Sequence, residues 1–356
     1  MWQAVRNQAD LSTMACPDKY RSMQGFYKYY SGEKVAPVLT IFIGGNHEAS
    51  NHLWELYHGG WVAPNIYFLG YAGVVTVGGV RIGGLTGIFN SRHYKMGHYE
   101  TPPYSDSDMR SAYHIREFEV FQLLQLREPL DIFLSHDWPQ YVCQCGNVET
   151  LFRKKKHLVS EVQDGSLGSP PGMELLKHLQ PSYWFSAHLH VKYSALVQHS
   201  PERATRFLAL DKCLPERDFL QLLEIPGDGT PAELHYDPEW LAVLRNTMPI
   251  FSVRRGMVQI CRMALAASAQ QKEAARECAG GDLSVPLNFC ITAPPYWPGD
   301  PLMAQPSFVE NPQTKCFVRT FGLPVNFRAQ QGTSGGGVPA VCVDVADDEE
   351  IDLGDD

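Results

Sequence analysis

The fold of this chain is decided by the stretch Phe42-Ile43-Gly44-Gly45-Asn46-His47-Glu48. It completes the apolar, β-branched run 38–43, which predicts a strand buried on both faces. Gly44 and Gly45 end the strand and allow a tight backbone turn. An amide, an imidazole and a carboxylate follow at once. Because ligands bind beyond the carboxyl ends of strands in open α/β sheets, we expect this cluster to lie in a site.

Two later strands end in the same way. The apolar run 131–134 leads into Ser135-His136-Asp137-Trp138-Pro139, and the run 183–186 leads into Ala187-His188-Leu189-His190. A single histidine in such a place is usually a surface or core residue, but three histidine-bearing strand ends in order favour one metal site. Imidazole nitrogen with amide oxygen suits a borderline divalent ion such as Fe2+, Zn2+ or Mn2+. The predicted ligands are Asn46, His136, His188 and His190.

The order of these motifs resembles the later half of the calcineurin-like metallophosphoesterase series, which runs Gly-Asn-His-Glu, Ser-His and Ala-His-x-His. Longer stretches resemble the RNA lariat debranching enzyme family over about residues 3–245 and, more weakly, 284–320. The stretches that carry this closer resemblance are Gln3-Ala4-Val5-Arg6-Asn7, Lys28-Tyr29-Tyr30-Ser31-Gly32-Glu33-Lys34, Gly44-Gly45-Asn46-His47-Glu48-Ala49-Ser50-Asn51-His52, Gly60-Trp61-Val62-Ala63-Pro64-Asn65, Ser135-His136-Asp137-Trp138-Pro139 and Ser186-Ala187-His188-Leu189-His190-Val191-Lys192.

The resemblance implies an α/β fold. In this superfamily a β-sandwich is flanked by helices in four layers, αββα, and the family adds a smaller C-terminal debranching domain. We expect the metallophosphoesterase domain over residues 1–225 and the C-terminal domain over 226–329. Residues 330–356 begin rich in glycine and serine and end acidic, which predicts a flexible tail.

The resemblance also implies a function, which is hydrolysis of the 2′,5′-phosphodiester bond at the branch point of excised intron lariat RNA. Such RNA is a nuclear product of splicing, so we expect the nucleus, with the cytoplasm as a second location. By position, Asn46, His136 and His188 match ligands of one metal ion, His190 matches a ligand of a second, and His47 matches the general acid. Two cations about 3.5–4 Å apart stabilise phosphoryl transfer, and an imidazole donates a proton near neutral pH.

One departure from the family pattern affects the expected activity. The family begins with a strand ending in Cys-x-His or Asp-x-His and a second strand ending in Gly-Asp, whose aspartate bridges the two metals. Met1 falls at the position of that aspartate. We therefore expect the chain to lack these two motifs and their strands, to hold one metal ion or fewer, and to be weak or inactive in debranching.

Residues 86–116 are dense in aromatic and basic side chains. A structureless loop of this length is usually functional or disordered, and the aromatic residues disfavour disorder. Single-stranded RNA needs cations for its phosphates and rings for its unstacked bases, although a surface loop packed by its own rings is an alternative. Residues 86–116 resemble the lariat recognition loop of the family. The residues that we expect to contact branch-point RNA are Arg92, His93, Tyr94 and Arg110.

The composition limits the other interpretations. No apolar run reaches 18 residues, so we expect no membrane span, and the nine scattered cysteines suggest a reducing compartment. A net charge of −9 is unfavourable for RNA binding, but residues 341–356 hold eight acids and no base, and −9 + 8 leaves −1 for the rest. The basic run 153–156 would bind phosphate or form a solvated helix face, and we favour the solvated face.

Local patterns predict the remaining elements. Residues 7–30 are expected to form a helix that breaks or kinks at Cys16-Pro17. The glycine pair Gly78-Gly79 predicts a hairpin between two strands, and residues 219–225 predict another strand. Helices are expected over 117–126, 237–244 and 263–278.

Three alternatives remain open beside a debranching hydrolase. One is a noncatalytic branched-RNA-binding or interaction protein that retains the scaffold. The second is a metallophosphoesterase for another phosphoester, which turnover of a generic aryl phosphate would favour. The third is a minor isoform or gene-model error that does not fold stably. The sequence indicates no membrane partner and identifies no protein partner.

Overall fold

A computed structural model of the chain describes residues 3–260 and 264–324. These residues form a mixed α/β structure. The strands are β1 (Thr40–Phe42), β2 (Gly60–Ala63), β3 (Ile66–Phe68), β4 (Ala72–Val77), β5 (Val80–Leu85), β6 (Ile132–Ser135), β7 (Tyr183–Ser186), β8 (Tyr193–Ser200), β9 (Arg203–Ala209) and β10 (Leu234–Tyr236). The α-helices are α1 (Gln8–Leu11), α2 (Tyr27–Tyr30), α3 (Ser50–Glu55), α4 (Asp106–Ser111), α5 (Glu117–Leu123), α6 (Val148–Lys154), α7 (Val159–Asp164), α8 (Pro170–Leu179), α9 (Pro238–Thr247), α10 (Ala269–Cys278) and α11 (Pro312–Phe321).

The strands are arranged in two sheets. The larger sheet has the order β10-β4-β5-β6-β7-β9-β8, and the smaller has the order β1-β3-β2. At the centre of the larger sheet β5, β6, β7 and β9 run parallel, whereas the outer strands are antiparallel. The hairpin between β4 and β5 turns at Gly78 and Gly79, both with positive φ, as predicted.

Buried side chains hold the layers together. Trp61 and Tyr67 of the smaller sheet share a hydrophobic cluster with Val75 of the larger sheet. In the main core Phe133 of β6 packs on Trp184 of β7 with ring centroids 4.3 Å apart. Helices α5, α8 and α9 contribute to the same core. The predicted class, two packed sheets flanked by helices, is confirmed.

The N-terminal helix predicted over residues 7–30 is wrong in its extent. Asn7 does cap a helix, since its side chain accepts a hydrogen bond from the backbone N–H of Asp10. That helix ends at Leu11, however, and only α2 resumes it. The chain breaks around Pro17, whose ring and missing N–H cannot continue a helix.

Other elements also differ from the local expectation. Residues 219–225 form no strand, and the apolar side chains of 219–224 are exposed rather than packed on a sheet. The segment 86–116 is not structureless, since it contains α4, capped by Ser105 and Asp108. The predicted flexible tail, 330–356, lies outside the described residues, as do 325–329 and 261–263. Within the described part of the chain, no helix combines the length and apolarity needed to span a bilayer.

A buried charge network fixes the N-terminal segment. The Arg6 guanidinium contacts Asp10 at 2.8 Å and Glu55 at 2.9 Å, and its Nη1 donates to Thr292 Oγ1 at 2.8 Å. Burial alone would raise the pKa of Asp10, but Arg6 and the surrounding donors hold it below its usual value. The network therefore joins residues far apart in the sequence through one cation.

We expect Arg6→Met to destabilise the protein by about 3–5 kcal/mol, because it leaves buried carboxylates without their cation. Urea unfolding followed by circular dichroism measures this loss. Lys28→Met is the matched control, since Lys28 pairs with Glu33 at the surface, 3.2 Å away, and exposed pairs contribute little. Equal stability of the two variants would contradict a structural role for the network.

A second stability prediction concerns His58, which is buried and stacks on Phe317 with ring centroids 5.4 Å apart. Burial lowers the pKa of His58 from 6.5 to about 3. Between these values the unfolded state binds more protons, so the free energy of unfolding falls as the pH falls below 6.5. From pH 7.5 to pH 5.0 this one group should cost about 2 kcal/mol.

We therefore expect His58→Phe to weaken the acid sensitivity of the protein by about that amount, relative to wild type. Urea titrations at pH 7.5 and pH 5.0 measure it. His157→Phe serves as the control because His157 is exposed. An unchanged pH dependence in His58→Phe would show that this imidazole does not stay neutral in the fold.

Candidate metal centre

The ends of the central strands bring the predicted ligands together. His136 follows β6 and His188 follows β7, and these strands run parallel with Leu134 opposite Phe185. Their imidazole rings lie with centroids 5.0 Å apart. The Nε2 atom of His136 lies 3.0 Å from Oδ1 of Asn46, which leaves the smaller sheet. The structure therefore places Asn46, His136 and His188 at one point, as the sequence predicts.

His47 and His190 lie beside this group. After the larger effect of burial, His188 lowers the pKa of His47. His188, His47 and His190 likewise lower the pKa of His136, again after burial. The Nδ1 atom of His47 lies 3.2 Å from the carbonyl oxygen of Ala15. That contact orients the His47 ring. Ala15 belongs to residues 7–30, the segment for which the sequence predicts a helix.

The backbone around His188 and His190 is not extended. Alternate residues of a strand share one face, but β7 ends at Ser186, before this pair. Both histidines instead have left-handed backbone conformations, with φ of 57° and 51°. Such conformations cost non-glycine residues about 1–3 kcal/mol each and occur mostly at functional sites. The pair therefore lies in a strained bend that lies directly beside His136.

The imidazoles are held neutral. Burial, aided by the neighbouring histidines, lowers the pKa of His136 to about 3. Burial, followed by the charges of Lys212 and Lys155, lowers the pKa of His190 to about 4. Burial also lowers the pKa of His47. Because a metal binds only deprotonated imidazole, these residues are in the correct form for a cation.

The donor set fits a divalent ion of the borderline class. Neutral imidazole nitrogens with an amide oxygen are suitable donors for such ions. In the described part of the chain, histidine, cysteine and carboxylate residues alone form no group of three or more that could hold a metal. The predicted donors that the structure brings together are therefore two histidines, His136 and His188, and the amide of Asn46.

Gly45 is required by the packing of His136. A Cβ atom at this position would lie 2.6 Å from Cε1 and 2.7 Å from Nδ1 of His136. Real Cβ atoms do not approach other atoms so closely, so any larger residue would displace the ring. Gly45 thus sets the position of one predicted ligand.

Two buried carboxylates near the centre were not assigned a role from the sequence. Glu48 accepts from the backbone N–H of Gly45 at 3.3 Å, and burial raises its pKa to about 7. Asp137 accepts from the N–H of Phe89 at 3.1 Å and from that of Trp138 at 3.0 Å, and burial raises its pKa. Asp137 therefore attaches the start of segment 86–116 to the centre. The signal was its place directly after His136.

Segment 86–116 places its four predicted RNA contacts in two environments. Arg92 is exposed, and Arg110 is exposed on α4. His93 and Tyr94 are half-buried. The Nδ1 atoms of His93 and His114 lie 2.8 Å apart with the rings stacked, and the Tyr94 ring packs edge-on against Phe89. The two arginines are thus accessible to a ligand, whereas the rings partly build the segment itself.

Comparisons with known proteins match this chain to one family. The family described as "Lariat debranching enzyme, C-terminal domain" matches residues 202–326. Lariat debranching enzyme A of Xenopus laevis is 52% identical over 345 residues, which cover 93% of this chain and 65% of that protein. The Homo sapiens lariat debranching enzyme is 50% identical over 372 residues, which cover 100% of this chain and 68% of that protein.

The similarity extends to plants. The Arabidopsis thaliana lariat debranching enzyme is 50% identical over 326 residues, which cover 91% of this chain and 77% of that protein. The chain spans about two thirds of the length of the first vertebrate relatives, at 65% and 66%. With half of the aligned residues identical over nearly the whole chain, this protein belongs to the lariat debranching enzyme family.

Proposed function

We propose that this chain binds the branch point of excised intron lariat RNA and directs hydrolysis at its 2′,5′-phosphodiester bond. The observation that carries the proposal is the convergence of Asn46, His136 and His188, with Nε2 of His136 3.0 Å from the Asn46 amide oxygen. The Xenopus laevis, Homo sapiens and Arabidopsis thaliana relatives are lariat debranching enzymes, which supports the choice of substrate. Since introns are excised in the nucleus, we propose a nuclear location.

The reaction needs an electrophilic phosphorus, a water molecule and a proton for the leaving oxygen. A divalent ion bound by Asn46, His136 and His188 would polarise a phosphate oxygen and acidify water. The water oxygen forms a bond to phosphorus while the bond from phosphorus to the leaving ribose oxygen breaks. We assign the proton donor to His47, whose ring is oriented by the carbonyl oxygen of Ala15. An arriving phosphate anion favours the charged imidazolium that this step requires.

The described residues supply ligands for one ion more completely than for two. Beyond Asn46, His136 and His188, the predicted second-ion ligand is His190 alone. Asp137 is close, but both of its oxygens accept backbone hydrogen bonds. We therefore propose a single Fe2+, Zn2+ or Mn2+ ion and slow or absent turnover. The same observation favours a second candidate function, which is binding of branched RNA without cleavage.

Segment 86–116 is the proposed RNA-facing surface beside the ion. Its first residues are held to the centre by the hydrogen bond from the Phe89 N–H to Asp137. Arg92 and Arg110 are exposed and suited to phosphate contacts, and His93 and Tyr94 offer rings to unstacked bases. The net charge of the chain is −9. The attraction of this surface for RNA must therefore come from its own basic residues and not from the charge of the whole chain.

The experiment compares a branched RNA with a linear 3′,5′ RNA of the same composition. We expect tighter binding of the branched RNA, about one metal ion per chain by elemental analysis because one set of three or four ligands is present, and slow or no release of the 2′-linked strand. His188→Ala should lose the metal. Equal affinity for both RNAs would overturn the function, whereas fast cleavage would overturn only the proposed weak turnover.

A second prediction tests the metal ligands without removing one. Gly45→Ala should displace the His136 ring and reduce Mn2+ affinity by 10-fold or more, about 1.4 kcal/mol, as measured by isothermal titration calorimetry. Gly25→Ala is the matched control, since no atom lies within 4 Å of a Cβ there. If Gly45→Ala binds Mn2+ as tightly as Gly25→Ala, His136 is not a ligand in its present position.

A further inference from the structure

Three basic residues lie on the His190 side of the candidate metal centre, and we call Lys155, Lys212 and Arg217 the basic rim. The position of Lys212 follows from the parallel pairing of β7 with β9, in which Ser186 lies opposite Ala209. Leu210 continues this pairing, because its N–H donates to the carbonyl oxygen of Ser186 at 3.3 Å. The chain after β9 therefore leaves the sheet at the edge where His188 and His190 leave it.

Direct contacts attach this segment to the histidine bend. Nη2 of Arg217 lies 2.9 Å from Oδ1 of Asp211 and 3.4 Å from the carbonyl oxygen of His190. Oδ1 of Asp211 also accepts from the backbone N–H of Lys212 at 2.7 Å. Asp211 thus holds the loop in a fixed shape, and Arg217 joins it to the backbone of a predicted ligand.

The three bases of the rim are close enough for their charges to act on one another. Lys212 follows Asp211 directly, and its backbone N–H donates to the Asp211 carboxylate. The same carboxylate holds Arg217 beside the carbonyl oxygen of His190. Burial first, and then the charges of Arg217 and Lys212, lower the pKa of Lys155 against the attraction of Asp211. The rim is therefore one electrostatic unit attached to the histidine bend.

Lys155 is distinguished from the other bases of its run. Arg153, Lys154 and Lys156 are exposed, as expected for a solvated helix face, but Lys155 is half-buried at the C-cap of α6. Its backbone there is non-helical, with φ of −137° and ψ of 71°. One member of the run therefore belongs to the rim, and its neighbours do not.

The basic rim has the charge distribution of an anion-binding site. Lys155 and Lys212 are half-buried, and Arg217 is exposed. One carboxylate, Asp211, lies among the three cations. Like charges placed together are unfavourable unless an opposite charge offsets them, and burial increases this cost for the two lysines. Lysine is a point-charge ligand suited to phosphate. A phosphate group on the His190 side of the centre would complete the group.

We propose that Lys155 and Lys212 hold the 3′-phosphate of the branch nucleotide while its 2′-phosphate lies at the imidazoles. The proposal rests on the function proposed above and adds how a branch is distinguished. A branch nucleotide carries phosphates on two adjacent ribose oxygens, whereas a linear 2′,5′ linkage carries only one. A basic site next to the reacting phosphate would bind the second phosphate of a branch. The rim therefore determines the preference for branched over linear 2′,5′-linked RNA and takes no part in bond breaking.

The test uses two RNAs, a branched one and a linear 2′,5′-linked one that lacks the 3′-phosphate at the same ribose. Both carry a methylenephosphonate at the 2′ linkage, which keeps the charge and blocks hydrolysis. Affinity is measured by fluorescence anisotropy over a series of salt concentrations. The variants are Lys155→Met, Lys212→Met and the charge-retaining Lys212→Arg, and the matched control is Lys156→Met, which removes an exposed neighbour in the same run.

For wild type we expect tighter binding of the branched RNA. Lys212→Met and Lys155→Met should each weaken it roughly tenfold and reduce the slope of log affinity against log salt by up to about 0.7. Their affinity for the linear 2′,5′ RNA should stay the same. Lys212→Arg should retain most of the affinity, and Lys156→Met should behave as wild type. Unchanged metal content and thermal unfolding exclude a merely structural effect.

The outcomes separate this inference from the proposed function. If wild type prefers the branched RNA and the lysine variants keep that preference, the rim does not read the 3′-phosphate and the inference is wrong. If both RNAs lose affinity equally in the variants, the rim is a general phosphate contact, which also overturns it. If wild type binds neither RNA better than an ordinary 3′,5′ strand, the proposed function fails first.

Discussion

The parallel pairing of β6, β7 and β9 is the constraint on which the rest of this site depends. Parallel strands end at the same edge, so segments that are distant in the sequence leave the sheet side by side. His136, His188 and Lys212 each follow one of these strands. The smaller sheet adds Asn46 from the end of its own strand β1. The candidate metal ligands and the basic rim are therefore neighbours because backbone hydrogen bonding between the strands aligns the strand ends.

The N-terminal segment supports this edge through buried polar contacts. Arg6 connects Asp10 and Glu55 to Thr292, so the first residues and the C-terminal region are fixed together. Further along the same segment the Ala15 carbonyl orients His47. A buried arginine with two carboxylates is a rigid connection, because losing any partner leaves a charge uncompensated. The C-terminal region therefore supports the N-terminal segment through Thr292.

Electrostatics in this protein is local. The whole chain carries −9, yet the candidate site combines neutral imidazoles with a rim of cations. Screening limits the reach of distant charges to about 8–10 Å at ordinary ionic strength. The cations beside His190 therefore act more strongly on a phosphate at the site than the net charge of the chain does.

The sequence by itself determined the strands that end in histidine and the family, because each is carried by a short run of neighbouring residues. Long-range pairing decided the rest. Residues 219–225 have the pattern of a strand, but within the described part of the chain they pair with no strand, and their apolar side chains are exposed at 219–224. His188 and His190 meet through left-handed backbone angles that no pattern reveals. Lys155 is half-buried whereas its neighbour Lys154 is exposed. This difference in exposure depends on the tertiary structure, because the two residues are of the same type.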